Sequence, residues 1–273
     1  MQRKITAMYF SPTGTTKKVA EELAKGIAQE LTGEISVARV DFTLPQGRKE
    51  PVSYSEGDLV ILGVPVYAGR VPNVLLKYLD TVRGNGALGI ALVLYGNRAY
   101  DDALIELKDI MESKDFKTVA ACAFIGEHSF SKVLAANRPD TQDLNIVQEY
   151  AAKIAQKIEN QRKLPALNVT GNKPYRPYYL PIKEDGQRVN ILKVTPQTKS
   201  NCINCQICVK VCPMGSICPD DVTSMQGICI KCGACEKKCP VQAKYFTDEG
   251  YLWHKNEIEE KYSSSRKEPE LYL

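Results

Sequence analysis

Apolar and polar positions alternate along the first 160 residues with two periods. Ile5–Phe10, Ile35–Val40, Leu88–Tyr95 and Val119–Ile125 read as strands, and Leu59–Val66 is a near-continuous apolar run, as expected of a strand buried on both faces. Between them, Val19, Ala20, Leu23, Ala24, Ile27, Ala28 and Leu31 follow a helical period,. Val74–Leu79 begins a short helix after Pro72, Ala103–Met111 forms another, and Leu144, Val147, Tyr150, Ala151, Ile154 and Ile158 mark a last one. Such alternation predicts an α/β fold with a parallel sheet covered on both faces.

From Leu164 to Thr198 the pattern stops. Four of the fifteen prolines lie between Pro165 and Pro181, joined by Tyr175, Tyr178 and Tyr179. The segment reads as an extended linker stiffened by proline. Its seven Lys/Arg from Arg162 to Lys193 suit either an acidic docking surface or plain solvation. Charge changes the picture only here: residues 1–159 are net −1, residues 160–199 net +6 and residues 200–273 net −1. A local excess of this size is not the concentrated basic face of a nucleic-acid binder.

The 273 residues are 44% apolar and 25% charged, which is ordinary for globular protein. The longest nearly uncharged apolar stretch, Gly86–Gly96, is about half of the roughly 20 residues a membrane helix needs. The apolar run at the start breaks at Ser11-Pro12, too early for a signal peptide. The expectation is a soluble cytoplasmic protein without a membrane span.

Nine of the ten cysteines fall between Cys202 and Cys239. Cys202, Cys205, Cys208 and Cys212-Pro213 fit C-x2-C-x2-C-x3-C-P, and so do Cys229, Cys232, Cys235 and Cys239-Pro240, starting 27 positions later. Zinc takes cysteine pairs rather than triplets, and disulfides are rare without an oxidising compartment. Three thiolates in a seven-residue loop can hold three corners of a 4Fe-4S cluster, and in this arrangement the fourth cysteine of each run ligates the other cluster. Cluster one would then take Cys202, Cys205, Cys208 and Cys239, and cluster two Cys212, Cys229, Cys232 and Cys235. Cys218 lies outside both runs and reads as a spare, and Cys122 as a buried small apolar residue. Roughly residues 198–248 closely resemble the bacterial two-cluster ferredoxins, differing in having Gln206-Ile207 where Gly233-Ala234 stands in the second run.

The first strand leads into Ser11-Pro12-Thr13-Gly14-Thr15-Thr16. Short hydroxyls, a glycine and a helix N-terminus make an anion cradle. The Walker pattern and the two-glycine dinucleotide fingerprint are both absent,. Pro65-Val66-Tyr67-Ala68-Gly69 follows the third strand, and Tyr95-Gly96-Asn97-Arg98 with Tyr100-Asp101 follows the fourth. In a doubly wound sheet these loops converge at the carboxyl edge, beside the switch point.

This arrangement resembles flavodoxin. The resemblance implies a five-stranded sheet in order 2-1-3-4-5 and bound FMN, with Ser11–Thr16 on the phosphate. Residues 65–72 and 95–101 would flank the ring, Tyr67 and Tyr100 beside it and Gly69 as a backbone partner of flavin N5. His128, after the fifth strand, could approach the site but reads as incidental. The whole chain resembles flavodoxin–ferredoxin fusions of anaerobic microbes. The implied organisation is a flavodoxin-like domain (1–163), a linker (164–198), a ferredoxin domain (199–250) and a tail (251–273). In the tail, Lys255–Tyr262 reads as a helix, Ser263–Pro269 as loose, and Leu271–Leu273 as apolar enough to dock back.

The resemblance implies an electron carrier relaying low-potential electrons between FMN, two 4Fe-4S clusters and redox partner proteins such as ferredoxin-linked oxidoreductases, with no catalytic side chain. An FMN-dependent NAD(P)H- or ferredoxin-driven reductase of a small acceptor is the alternative, and a cluster-based sensor a third reading. Internal transfer could also use a second copy in a homodimer. Two clusters of about −2 each and a phosphate of up to about −2 turn the +4 polypeptide into an anion. Thr13→Asp should expel FMN by like-charge repulsion and leave the clusters in place; unchanged flavin content after purification would refute the phosphate loop.

Overall fold

The structure, a computed structural model, describes residues 3–160 and 165–273. The expected boundary at 163/164 lies outside the described residues. In the first unit β1 (Arg3–Tyr9), α1 (Thr15–Glu30), β2 (Ile35–Asp41), β3 (Leu59–Pro65), α2 (Asn73–Leu79), β4 (Leu88–Tyr95), α3 (Ala103–Ser113), β5 (Lys117–Ile125) and α4 (Thr141–Asn160) alternate. The strands pair in parallel in the order β2-β1-β3-β4-β5.

The two-residue repeat of a strand divides its side chains between opposite faces. Ile5, Ala7 and Tyr9 of β1 with Leu59 and Ile61 of β3 pack beneath α1 and α4. Met8 with Val60, Leu62 and Val64 packs on the other face beneath α2 and α3. The central strands are apolar almost throughout because both faces are covered.

The second unit contains β6 (Gln197–Thr198), α5 (Ile207–Lys210), α6 (Ala234–Lys237) and β7 (Lys244–Tyr245), with β6 and β7 antiparallel. The internal repeat appears as two one-turn helices, each entered through a left-handed residue: Gln206 (φ 64°) before α5 and Gly233 (φ 73°) before α6.

Two elements then return to the first unit. Helix α7 (Glu249–Tyr262) starts at Asp248, whose side chain accepts the Tyr251 amide at 2.8 Å. Strand β8 (Glu270–Tyr272) pairs antiparallel with β5 and makes the sheet six-stranded. The segment before β8, expected to be loose, is held by hydrogen bonds. Asn97 Nδ2 donates to the carbonyls of Tyr262 (2.7 Å) and Ser265 (2.9 Å), Arg266 pairs with Asp140 (2.7 Å), and Arg138 Nη1 donates to the Lys267 carbonyl (2.6 Å).

The Pro/Tyr-rich stretch lies as a strap against α3. Fully buried Asp102 accepts the Asn172 amide (3.0 Å), Asn172 Nδ2 (2.9 Å) and the Arg176 amide (2.7 Å). Asp109 accepts Lys173 Nζ (2.9 Å) and the Tyr175 hydroxyl. The Arg70 guanidinium bonds the Arg176 carbonyl (2.6 Å) and lies 4.8 and 5.1 Å from the ring centroids of Tyr175 and Tyr178. Burial raises the affinity of Asp102 and Asp109 for protons, but these donors outweigh it and hold both carboxyls below their ordinary range. The strap is therefore fully stabilised above about pH 4 and loses this contribution as acid protonates the pair through their depressed values. Asp102→Ala, which orphans three donors, should cost about 1–3 kcal/mol; denaturant unfolding measures the loss, and faster amide exchange at Asn172 and Arg176 locates it.

Candidate functional site

A cleft opens at the carboxyl ends of β1, β3, β4 and β5. Four loops form its wall: Pro12, Thr13, Thr15 and Thr16 after β1, Pro65–Tyr67 after β3, Tyr95-Gly96 after β4 and Gly126–Ser129 after β5. Gly14 takes φ 99° at the N-cap of α1, a backbone that glycine adopts without steric cost. Ser11 Oγ accepts the Lys17 amide (3.0 Å) and the Ser11 amide donates to Thr43 Oγ1 (2.8 Å). Ser11 thus braces the loop from behind. An α-helix leaves its first amides without internal acceptors, so those of Thr15 and Thr16 remain for an anion. No acidic residue lies in the first turn of α1.

The other expected ring contacts go elsewhere. The Tyr100 hydroxyl meets Glu270 (2.5 Å) and the Tyr272 hydroxyl (3.0 Å) of β8, and its ring packs on Tyr95 at 5.5 Å. Asn97 holds the chain after α7. Arg98 pairs with Asp101 and lies 4.3 Å from the ring centroid of Tyr179. Ala68 and Gly69 form the tip of a tight turn closed by Tyr67 and Arg70. The Ala68 carbonyl accepts the Tyr179 amide (2.8 Å), and a Cβ on Gly69 would strike Asp101. These residues clasp the strap and the tail and do not line the cleft.

Sequence reasoning undervalued the loop after β5. His128 lines the cleft, with Nδ1 accepting the Phe130 amide (3.1 Å) and the ring 5.2 Å from Phe130. Burial, reinforced by the positive charges of His254, Lys237 and Arg98, holds its pKa at about 3. The imidazole is therefore neutral at pH 7, and with Nδ1 accepting, its proton sits on Nε2. Nothing in the local pattern of residues 126–129 signals this role beyond their position at a strand end.

The cysteines gather into two sets. Cys202, Cys205, Cys208 and Cys239 surround one small cavity, and Cys212, Cys229, Cys232 and Cys235 a second. Each set combines three thiols from one run with one from the other. Amides approach sulfur in both: Ala243 N to Cys239 Sγ (3.1 Å), Ser216 N to Cys212 Sγ (3.3 Å) and Lys231 N to Cys229 Sγ (3.4 Å). Such donors stabilise thiolate and tune a cluster's potential. Burial pushes the Cys232 thiol up to about 12 and raises Cys229 and Cys235 as well. Around Cys239 burial acts the same way, but four backbone amides, led by Ala243, outweigh it and lower the thiol. The donors in each set fit a thiolate-bound cluster. Cys218 lines neither cavity.

One residue joins the two regions: Cys232 lies in the wall of the second cysteine cavity and in the wall of the cleft. The contact is clamped by Lys237, whose Nζ donates to the carbonyls of His128 (2.7 Å) and Ser131 (2.9 Å) and to the Glu127 carboxylate. Arg48 Nη2 donates to the Pro213 carbonyl (2.5 Å) on the other side. Aromatic rings run between the regions: Phe246 at the second cavity lies 4.4 Å from Tyr251, Tyr251 lies 4.6 Å from Phe130, and Phe130 packs on His128.

Residues 7–138 match the flavodoxin domain family, and residues 199–215 and 223–245 each match a 4Fe-4S binding domain family. The chain therefore joins a flavodoxin domain to two ferredoxin-type motifs, the make-up of a flavodoxin–ferredoxin fusion. A flavodoxin domain implies FMN, the paired motifs fit two 4Fe-4S clusters, and together they define an electron-transfer protein. Among solved structures the chain is similar to a flavodoxin from the domain Archaea (18% identity, 58% of this chain and 99% of that one, TM-score 0.40). It is also similar to oxidised flavodoxin 1 from Bacillus cereus (15%, 56% and 97%, 0.38) and to rubredoxin oxygen:oxidoreductase from the anaerobe Desulfovibrio gigas (16%, 57% and 36%, 0.40). No curated protein matches the sequence. Among the described residues no helix is long and apolar enough to cross a membrane.

Lys237→Met should leave the part-buried carbonyls of His128 and Ser131 without their donor and cost about 1.5–3 kcal/mol. The expected signature is lower stability together with freer amide exchange across Glu127–Ser131, measured on the loaded protein.

Proposed function

We propose that this chain relays low-potential electrons between FMN and two 4Fe-4S clusters and exchanges them with separate redox proteins. The observation that carries this reading is Cys232, common to the cleft and to the second cysteine cavity. In this reading Thr13, Thr15 and Thr16 hold the FMN phosphate at the N-terminus of α1, with Ser11 and Gly14 shaping the loop. Pro65–Tyr67, Tyr95-Gly96 and His128 bound the ring. Cys202, Cys205, Cys208 and Cys239 ligate cluster one, and Cys212, Cys229, Cys232 and Cys235 cluster two. The flavin supplies exchange of one or two electrons and the clusters exchange of one. The side chains bind, orient and exclude water.

No acid, base or nucleophile is needed, and the cysteine loop against the cleft favours a relay over a reductase that stacks nicotinamide on the ring. We read the compartment as cytoplasmic, where free thiols persist, and all ten cysteines are unpaired by disulfide.

An anaerobic absorbance titration tests the function. Reduced ferredoxin should bleach both clusters and flavin, while NADH and NADPH should not; rapid bleaching by nicotinamide would overturn the relay in favour of a reductase. Cys239→Ser tests the ligand sets. It should damage cluster one and spare cluster two, read by electron paramagnetic resonance of the reduced protein, and selective loss of cluster two would refute the crossed assignment.

A further inference from the structure

The two cysteine runs have different residues at the same structural position, and their surroundings differ accordingly. Gln206 and Gly233 both sit at the left-handed turn before a one-turn helix. Gln206 is at the surface, its Nε2 donating to the Pro219 carbonyl (2.9 Å). Gly233 is buried, and a Cβ there would strike the carbonyl oxygen of Ser129 in the loop that walls the cleft. Only glycine lets the second run lie directly on that loop. The two ligand sets differ in the same sense: Cys232 and Cys235 are buried, whereas Cys205 is exposed beside Ile203, itself 63% exposed.

We infer that Gly233 sets the electron-transfer gap, making cluster two the immediate partner of the flavin and cluster one the terminal centre that meets an external redox protein at the Cys205–Ile203 face. This rests on the relay reading. Each step moves one electron: the flavin is oxidised by one as cluster two is reduced by one, then cluster two is reoxidised as cluster one is reduced. No bond forms or breaks.

The test uses the fully loaded chain, with flavin photoreduced by a laser flash and cluster bleaching followed in time. Gly233→Ala should slow flavin-to-cluster transfer several-fold, because its Cβ must push the second run away from the Ser129 carbonyl. Flavin content, cluster content and reduction potentials should stay unchanged. Gly33→Ala controls for backbone strain, because Gly33 has φ 99° and open space around it; its rate should match the parent. An unchanged rate in Gly233→Ala overturns the role of Gly233. Cys205→Ala tests the order without touching the contact: flavin-to-cluster-two transfer should persist while reduction of an external ferredoxin is lost. Loss of internal transfer with cluster two intact would reverse the order. A parent chain lacking FMN or a cluster would refute the relay reading itself, which cofactor analysis detects before any rate is measured.

Lys244 carries a second inference. Its side chain lines the first cysteine cavity, is 3% exposed, and among the described residues donates only to neutral acceptors, Thr198 Oγ1 (2.7 Å) and the Val222 carbonyl. A buried ammonium without a countercharge is costly, and an anionic cluster in that cavity would supply one. We propose that Lys244 raises the reduction potential of cluster one and makes it the electron sink of the pair. Lys244→Met should favour the oxidised form of cluster one by about tenfold or more, a downward shift of at least about 59 mV for a one-electron couple, with cluster two moving less. Redox titration monitored by electron paramagnetic resonance reads both centres. An unshifted cluster one, or an equal shift of both, overturns the assignment; should Lys244→Met fail to assemble cluster one, Lys244→Arg, which retains the charge, must keep the parent potential.

Discussion

The proposed relay depends on one backbone contact, the seating of the second cysteine loop on the loop after β5. Gly233 allows the approach, and Lys237 holds it by gathering the His128 and Ser131 carbonyls and the Glu127 carboxylate around one ammonium. Each partner alone would present unsatisfied polar groups. Docked, each satisfies the other. Electron transfer between centres depends steeply on separation, so a contact fixed by atom-to-atom exclusion suits the task better than a tether. The strap, α7 and β8 then reinforce the same geometry.

Elements whose form is set locally were legible in the sequence. The strands of the central sheet, the Ser11–Thr16 loop and the two cysteine runs follow from period, helix-terminus chemistry and spacing. The crossed grouping of thiols is what the two-cluster arrangement implies for paired runs of this spacing. What escaped was the destination of side chains whose partners lie far along the chain. Tyr100 looks like a ring neighbour from its loop, but Glu270 and Tyr272 satisfy its hydroxyl. Asn97 is engaged by carbonyls more than 160 positions away. The difference between Gln206 and Gly233 was visible from the outset, yet its meaning needed Ser129 beside it. Strand β8 is only three residues long, too short for periodicity to register.

The charge distribution acquires a local logic. The basic excess of residues 160–199 is partly neutralised where the strap crosses Asp101, Asp102 and Asp109 of the first unit. Lys237 and Lys244 sit where the units meet and beside the first cysteine cavity. A net charge summed over the chain conceals this arrangement, in which Lys237 holds the seam and buried Lys244 lines the first cysteine cavity.

Strand β8 has a consequence for colloidal behaviour. Without it, β5 would end the sheet as a nine-residue apolar strand with open amides and carbonyls, a template for pairing with other chains. Pairing with β8 covers the middle of that edge, Ala121–Ala123, with a three-residue strand that carries an exposed glutamate, Glu270. Short, charged edges resist lateral growth. The same return of the chain that occupies Tyr100 thus also guards the sheet against aggregation while the cysteine unit awaits its iron.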